Sequence, residues 1–231
     1  MKIFSQSLVL LSMFSSISSF AATLNYNPAS TKQNGIELDV SATETVTGQN
    51  KILTNIGEGI RMEPVAGFNA KIYLAQFFAE NPNAISRDPK TVAGSLNAAG
   101  MKALKITLIL GLVTVDKIVA AFSNSLNQNI VTADEQAAFG ADRDRFLDAV
   151  RAGGGIRKGS NITLFGYVKA DGTEEIIFEG TNGNQNVIDS KSPGFVNKIF
   201  GIWLGNIDKK DDGLNDLKKL LLTDANLTPQ S

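Results

Sequence analysis

The chain has 231 residues, with 22 Lys and Arg against 23 Asp and Glu and a net charge of −1, so no basic surplus exists to neutralise a phosphate backbone and nucleic acid is not an expected partner. It contains no cysteine and no histidine. Disulfides, thiol chemistry, Ser-His-Asp and Cys-His nucleophile systems, and a zinc site with nitrogen or sulfur ligands are excluded, and no cofactor or metal is expected.

The elements follow in chain order. Met1-Lys2 supplies a short positive start, residues 3–20 are apolar with serines, and Ser19-Phe20-Ala21 ends the run in small-x-small form. This reads as an export signal (residues 1–21) cut after Ala21. Ser5, Gln6, Ser7, Ser12, Ser15 and Ser16 interrupt the run too often for a membrane anchor. Removing 21 residues leaves 210, enough for one domain with a sizeable core, and losing Lys2 takes the net charge to −2. No later segment is long and apolar enough to span a bilayer.

Residues 22–35 are polar and turn-rich (Asn25, Asn27, Pro28, Ser30, Asn34) and read as a flexible leader. A single domain is expected over residues 36–223, with a tail at 224–231. Residues 36–46 and 51–62 read as strands joined near Thr47-Gly48-Gln49-Asn50. Residues 68–79 alternate: Phe68, Ala70, Ile72, Leu74 and Phe78 share one face, and Asn69, Lys71, Tyr73 and Phe77 the other. Asp88-Pro89 opens a short helix to about Asn97, and residues 102–111 form a strand with Thr107 on its polar side.

Val115, Ile118, Val119, Phe122 and Leu126 recur at helical spacing after Thr114 as a cap. Thr132 and Glu135 form a capping-box pattern that opens a second helix, ended by Gly153-Gly154-Gly155. Residues 161–169 and 174–179 form a hairpin around Asp171-Gly172, with a further short strand at 186–190. Ser192-Pro193 starts a helix that buries Phe195, Ile199 and Trp203. Leu214, Leu217, Leu220 and Leu221 mark a last amphipathic helix. The order predicts an α+β fold, a largely antiparallel sheet covered by helices on one side.

Two side chains carry the functional reading. Arg61 closes Gly57-Glu58-Gly59-Ile60-Arg61, and Tyr73 follows twelve residues later inside an apolar strand. A guanidinium and a phenol facing one apolar space can hold a carboxylate or polarise a carbonyl. Arg61 also reads as a surface charge paired with Glu58 or Glu63, and Tyr73 as a core aromatic with its hydroxyl at solvent or backbone. Lys71 shares the Tyr73 face and is a further candidate to assist an anion, though it reads first as a solvated strand lysine, and Thr107 is a further candidate from the polar side of its strand. Trp203 and Phe200 read mainly as packing between the helices and the sheet. The acid- and lysine-rich run 208–212 reads as a solvated loop.

From Asn55 to Leu222 the chain resembles the chalcone isomerase family, in its bacterial exported branch. The resemblance rests on Gly59-Ile60-Arg61, Lys71-Ile72-Tyr73, residues 115–122, residues 158–164, Gly172-Thr173, Phe195, Ile202-Trp203-Leu204-Gly205 and residues 217–221, in that order. It implies an open-faced β-sandwich with a ligand cleft between a large antiparallel sheet and a helical layer. The family includes plant enzymes that close a chalcone into a flavanone and relatives that bind fatty acids without known turnover. In the enzymes the substrate brings its own phenolate, so positioning, an Arg and hydroxyl groups suffice.

By that resemblance Arg61 is the cleft arginine, and Tyr73 stands where the binders have Tyr and the plant enzymes Thr. The positions of the plant Tyr and Asn fall on Thr114 and Ala121, with Asn124 nearby. The resemblance therefore implies an exported, periplasmic protein that holds a fatty acid or similar amphipathic carboxylate through Arg61 and Tyr73 without turnover. An isomerase acting on a phenolic enone through the same two residues is the alternative. A ligand-free interaction module of the envelope is a third.

Overall fold

A computed structural model describes residues 22–231 except 112, 156, 206–210, 226, 228, 230 and 231. The segment read as an export signal and most of the 208–212 run lie outside the described residues. Eight antiparallel strands form one sheet in sequence order: β1 (Leu24–Gln33), β2 (Ile36–Glu44), β3 (Ile52–Val65), β4 (Phe68–Ala79), β5 (Lys102–Leu108), β6 (Asn161–Val168), β7 (Glu174–Glu179) and β8 (Gln185–Ser190). Among the described residues five helices accompany it: α1 (Val92–Ser95), α2 (Val115–Asn129), α3 (Ala133–Ala152), α4 (Phe195–Leu204) and α5 (Asp212–Leu221).

The expected α+β architecture is present, and the predicted caps are made. Thr114 accepts the Lys117 amide at the start of α2, and Thr132 and Glu135 form a reciprocal capping box on α3. Between β4 and β5 the predicted helix is only one turn, flanked by 3₁₀ segments at Pro82–Ala84 and Leu96–Ala99.

The segment read as a flexible leader is a strand. β1 pairs with β2 across an Asn34-Gly35 turn in which both residues have positive φ, the geometry that matches strand twist in a two-residue hairpin. Its polar composition fits an edge strand, and Pro28 sits at a register shift, where a missing N–H costs no ladder bond. The tail is also engaged: Leu227 packs beside Leu38 and Leu74, and Pro229 bridges Ala29.

The sheet curls. The Tyr26 hydroxyl on β1 lies 3.0 Å from Thr163 Oγ1 on β6, and the Thr23 amide donates to Glu179 on β7 at 2.9 Å, although four or more strands separate them in the sheet. Both faces are therefore covered. The inner face holds Leu24, Leu53, Phe78 and Phe165. It also carries a satisfied polar network in which Asp39 accepts from Lys105 Nζ (2.5 Å) and Gln76 Nε2 (3.2 Å). The outer face packs Phe77, Leu104 and Ile106 under α2 to α5.

Helix α5 lies directly on β3. A Cβ on Gly57 would stand 2.2 Å from the Leu221 carbonyl oxygen, and one on Gly59 would stand 2.7 Å from Leu220 Cβ. Only glycine allows this approach.

Candidate functional site

Arg61 and Tyr73 are directly opposed in the β3–β4 ladder. One step further Met62 pairs with Lys71, so Ile72 is the extra residue of a β-bulge. The bulge breaks the simple alternation read from sequence. Ile72 and Tyr73 both line the space under the helices, while Lys71 is exposed and donates to Asn34 Oδ1 at 2.9 Å. Lys71 is thus not part of the site. Neither is Thr107, which faces the other side of β5 and meets Asn161 Oδ1 at 2.7 Å.

The space is a cavity of about 660 Å³, within the roughly 300–1,000 Å³ of small-molecule sites. Its floor is the sheet, with Ile72, Ile106 and Leu108. Its roof is Ile118 and Phe122 of α2, Ile202 and Trp203 of α4, and Leu214 of α5. Along α2 it opens past Lys117, Ala121, Asn124, Asn127 and Gln128, all exposed. Asn124 and Ala121 line it as the resemblance places them, whereas Thr114 is spent on the α2 cap.

Trp203 has a larger part than packing. It is 1 % exposed, meets Phe122 edge-to-face at 5.2 Å, and donates from Nε1 to the Tyr73 hydroxyl at 3.1 Å. The Tyr73 oxygen therefore acts as an acceptor, and its own proton goes to no described residue. Burial pushes the Tyr73 phenol up to about 12, so it stays protonated and remains a donor toward the cavity.

Arg61 is 6 % exposed and lines the cavity, yet its guanidinium is already engaged. Nη1 donates to the Met62 carbonyl at 2.8 Å, and Nη2 donates to Glu63 Oε1 at 2.8 Å and Asp211 Oδ2 at 2.7 Å. Arg61 is buried, so the surface-charge reading does not hold, although the pairing with Glu63 that it named is made, and the side chain lines the cavity. Asp211, read from sequence as part of a solvated loop, is the N-cap of α5, and its Oδ1 accepts the Leu214 amide at 2.9 Å. Nothing local links it to Arg61, 150 residues away. Gly213 seals the arrangement, since a Cβ there would stand 2.0 Å from the Met62 oxygen and 2.2 Å from Arg61 Nη1. Among the described residues no group of three or more carboxylates converges to hold a metal ion.

A curled antiparallel sheet with a helical layer, and a ligand-sized apolar cavity between them, define a fold of the chalcone isomerase type. The family model described as chalcone isomerase-like matches residues 35–223, and the chain belongs to that family. Among solved structures it is similar to the fatty-acid binding protein AtFAP1 of Arabidopsis thaliana, with a TM-score of 0.56 at 15 % identity, covering 84 % of this chain and 98 % of that one. No curated protein matches the sequence.

Proposed function

We propose that this protein binds one long-chain amphipathic lipid of the fatty-acid class, without turnover. The apolar chain lies between the sheet and α2, and the oxygen end meets the Tyr73 hydroxyl beside Arg61. The observation that carries this reading is the opposition of Arg61 and Tyr73 on the wall of an otherwise largely apolar cavity. Each buried methylene contributes about 0.8 kcal/mol, so the chain supplies most of the affinity and the polar end fixes orientation. The fatty-acid binding of AtFAP1, on the same fold, supports the ligand class.

Binding is favoured over ring closure of a phenolic enone by two positions. Thr114 caps α2 instead of lining the cavity, and Ala121 lines it without a polar atom. The sequence at residues 1–21 supports export to the periplasm, with cleavage after Ala21.

The test is titration of delipidated protein with saturated lipids of increasing chain length, followed by the emission of Trp203, the only tryptophan. Saturable binding that strengthens with chain length until the cavity is filled is expected. Absence of any binding, or loss of chalcone absorbance on adding the protein, would overturn the reading. N-terminal sequencing of the protein recovered from a periplasmic fraction tests the export step, with Ala22 as the expected first residue.

A further inference from the structure

Glu63 and Asp211, as well as Arg61, line the cavity, and both contact the same guanidinium nitrogen. Among the described residues one cation is thus shared by two anions, Glu63 and Asp211, at the polar end of the cavity. Lys117, the remaining charged residue of the lining, is exposed on α2 and makes no ion pair with a described residue. Resting on the lipid-binding reading above, we propose that the cavity selects a lipid whose oxygen head is uncharged (an alcohol, an ester or a protonated acid) over a carboxylate anion. Glu63 and Asp211 are the residues that impose the choice.

Three observations support this selection. First, a bare carboxylate beside the buried Arg61 meets two carboxylates already held on its guanidinium, partly exposed Asp211 and half-exposed Glu63, so the attraction of the cation is opposed at close range. Second, the pair cannot rearrange cheaply to receive it. Asp211 bonds Arg61 through Oδ2 and caps α5 through Oδ1, so pulling it away uncaps the helix. The Gly213 backbone lies against Nη1 and leaves the guanidinium no room on that side. Third, the donor left over is neutral. Tyr73 receives the Trp203 N–H and gives its own proton to no described residue, which suits a carbonyl, ester or hydroxyl oxygen.

The experiment compares dodecanoate, 1-dodecanol and methyl dodecanoate at neutral pH on the delipidated full chain, read by Trp203 emission. The alcohol and ester should bind about tenfold more tightly than the carboxylate, a ratio that corresponds to one well-placed like-charge contact. Asp211→Asn and Glu63→Gln should each raise dodecanoate affinity several-fold, and together about tenfold. The readout is the ratio of dodecanol to dodecanoate affinity, which should fall about tenfold in the double variant. Asn caps helices about as well as Asp, so Asp211→Asn keeps α5 in place, and unchanged far-UV circular dichroism verifies it. Tighter binding of dodecanoate than of dodecanol to the unmodified protein overturns the proposal. So does unchanged dodecanoate affinity in the folded double variant. If none of the three ligands binds, the lipid-binding reading itself fails and the selectivity falls with it.

Discussion

Replacing Tyr73 with Phe removes one oxygen and tests the wall of the cavity at its most informative point. The Trp203 indole is 1 % exposed and its N–H ends on that oxygen at 3.1 Å. With the acceptor gone the buried donor is left unpaired, which costs about 1–3 kcal/mol. The ring of Tyr73 remains, so packing is nearly conserved and no large cavity term adds. Water inside the cavity recovers part of the loss, which puts the expected cost near 1–2 kcal/mol. For a chain of this size each kcal/mol lowers Tm by about 2–4 °C, so Tm should fall by about 2–8 °C. Urea unfolding followed by far-UV circular dichroism gives the free energy, and an unchanged m value confirms that the folded state is the same. Trp203 emission reports the hydrogen bond directly. The same variant should bind an uncharged lipid about two- to tenfold more weakly, the range of one neutral hydrogen bond. Tyr73→Phe with unaltered Tm, emission and lipid affinity would refute the geometry of the site.

The remaining predictions concern charge and close packing. Alkaline unfolding should be steep: burial raises the phenols of Tyr26, Tyr73 and Tyr167, all three tyrosines of the chain, so the unfolded state ionises first. The stability they contribute is full below pH 10, where both states hold the proton. It is lost as pH rises from there, through about 12 for Tyr73, and a pH series of urea midpoints measures it. Glu58 runs the other way at neutral pH. Its half-buried carboxyl is raised by burial and its Oε2 has no partner among the described residues, so Glu58→Gln should raise Tm at pH 7. That gain should shrink as pH falls through the ordinary glutamate range, where both states become protonated; a gain of equal size at every pH argues against the assignment. Gly57→Ala forces a Cβ to 2.2 Å from a backbone oxygen of α5, which cannot rotate away. The cost should be about 3 kcal/mol, at the upper end of overpacking, with a Tm loss of about 6–12 °C; a loss under 2 °C would show that α5 is not seated on β3.

Much of the fold was legible because its signals are local. The capping box at Thr132, the cap at Thr114, the Asp171-Gly172 turn and the alternation of β4 each span a few residues. The loss of β1 to a flexible leader is instructive, since Asn34-Gly35 is as strong a hairpin signal as any in the chain. The polar residues around it masked it, because an edge strand stabilised by cross-sheet bonds does not need an apolar stripe of its own. The site was half legible. Arg61 and Tyr73 were found as a pair, and alternation then placed Lys71 beside Tyr73. The bulge at Ile72 undid that, and bulges leave no trace in hydrophobic period. Trp203 and Asp211 reach the site from helices 130 and 150 residues further along, a long-range pairing that a single sequence does not encode visibly.

The glycines of the site connect its packing to its chemistry. Gly57 and Gly59 let α5 rest on β3, and Gly213 lets the first turn of α5 touch the guanidinium itself. Seated there, α5 carries its N-terminal cap, Asp211, onto Arg61. A larger residue at any of the three would lift the helix and withdraw the carboxylate, leaving Arg61 with Glu63 alone and a charge balance near neutral. Three positions without side chains thus determine how much negative charge a ligand head encounters. The Gly57-Glu58-Gly59 run is explained as the seat for a helix. Arg61 alone is therefore an insufficient guide to the ligand's charge, because the sign of the site depends on how closely α5 approaches β3.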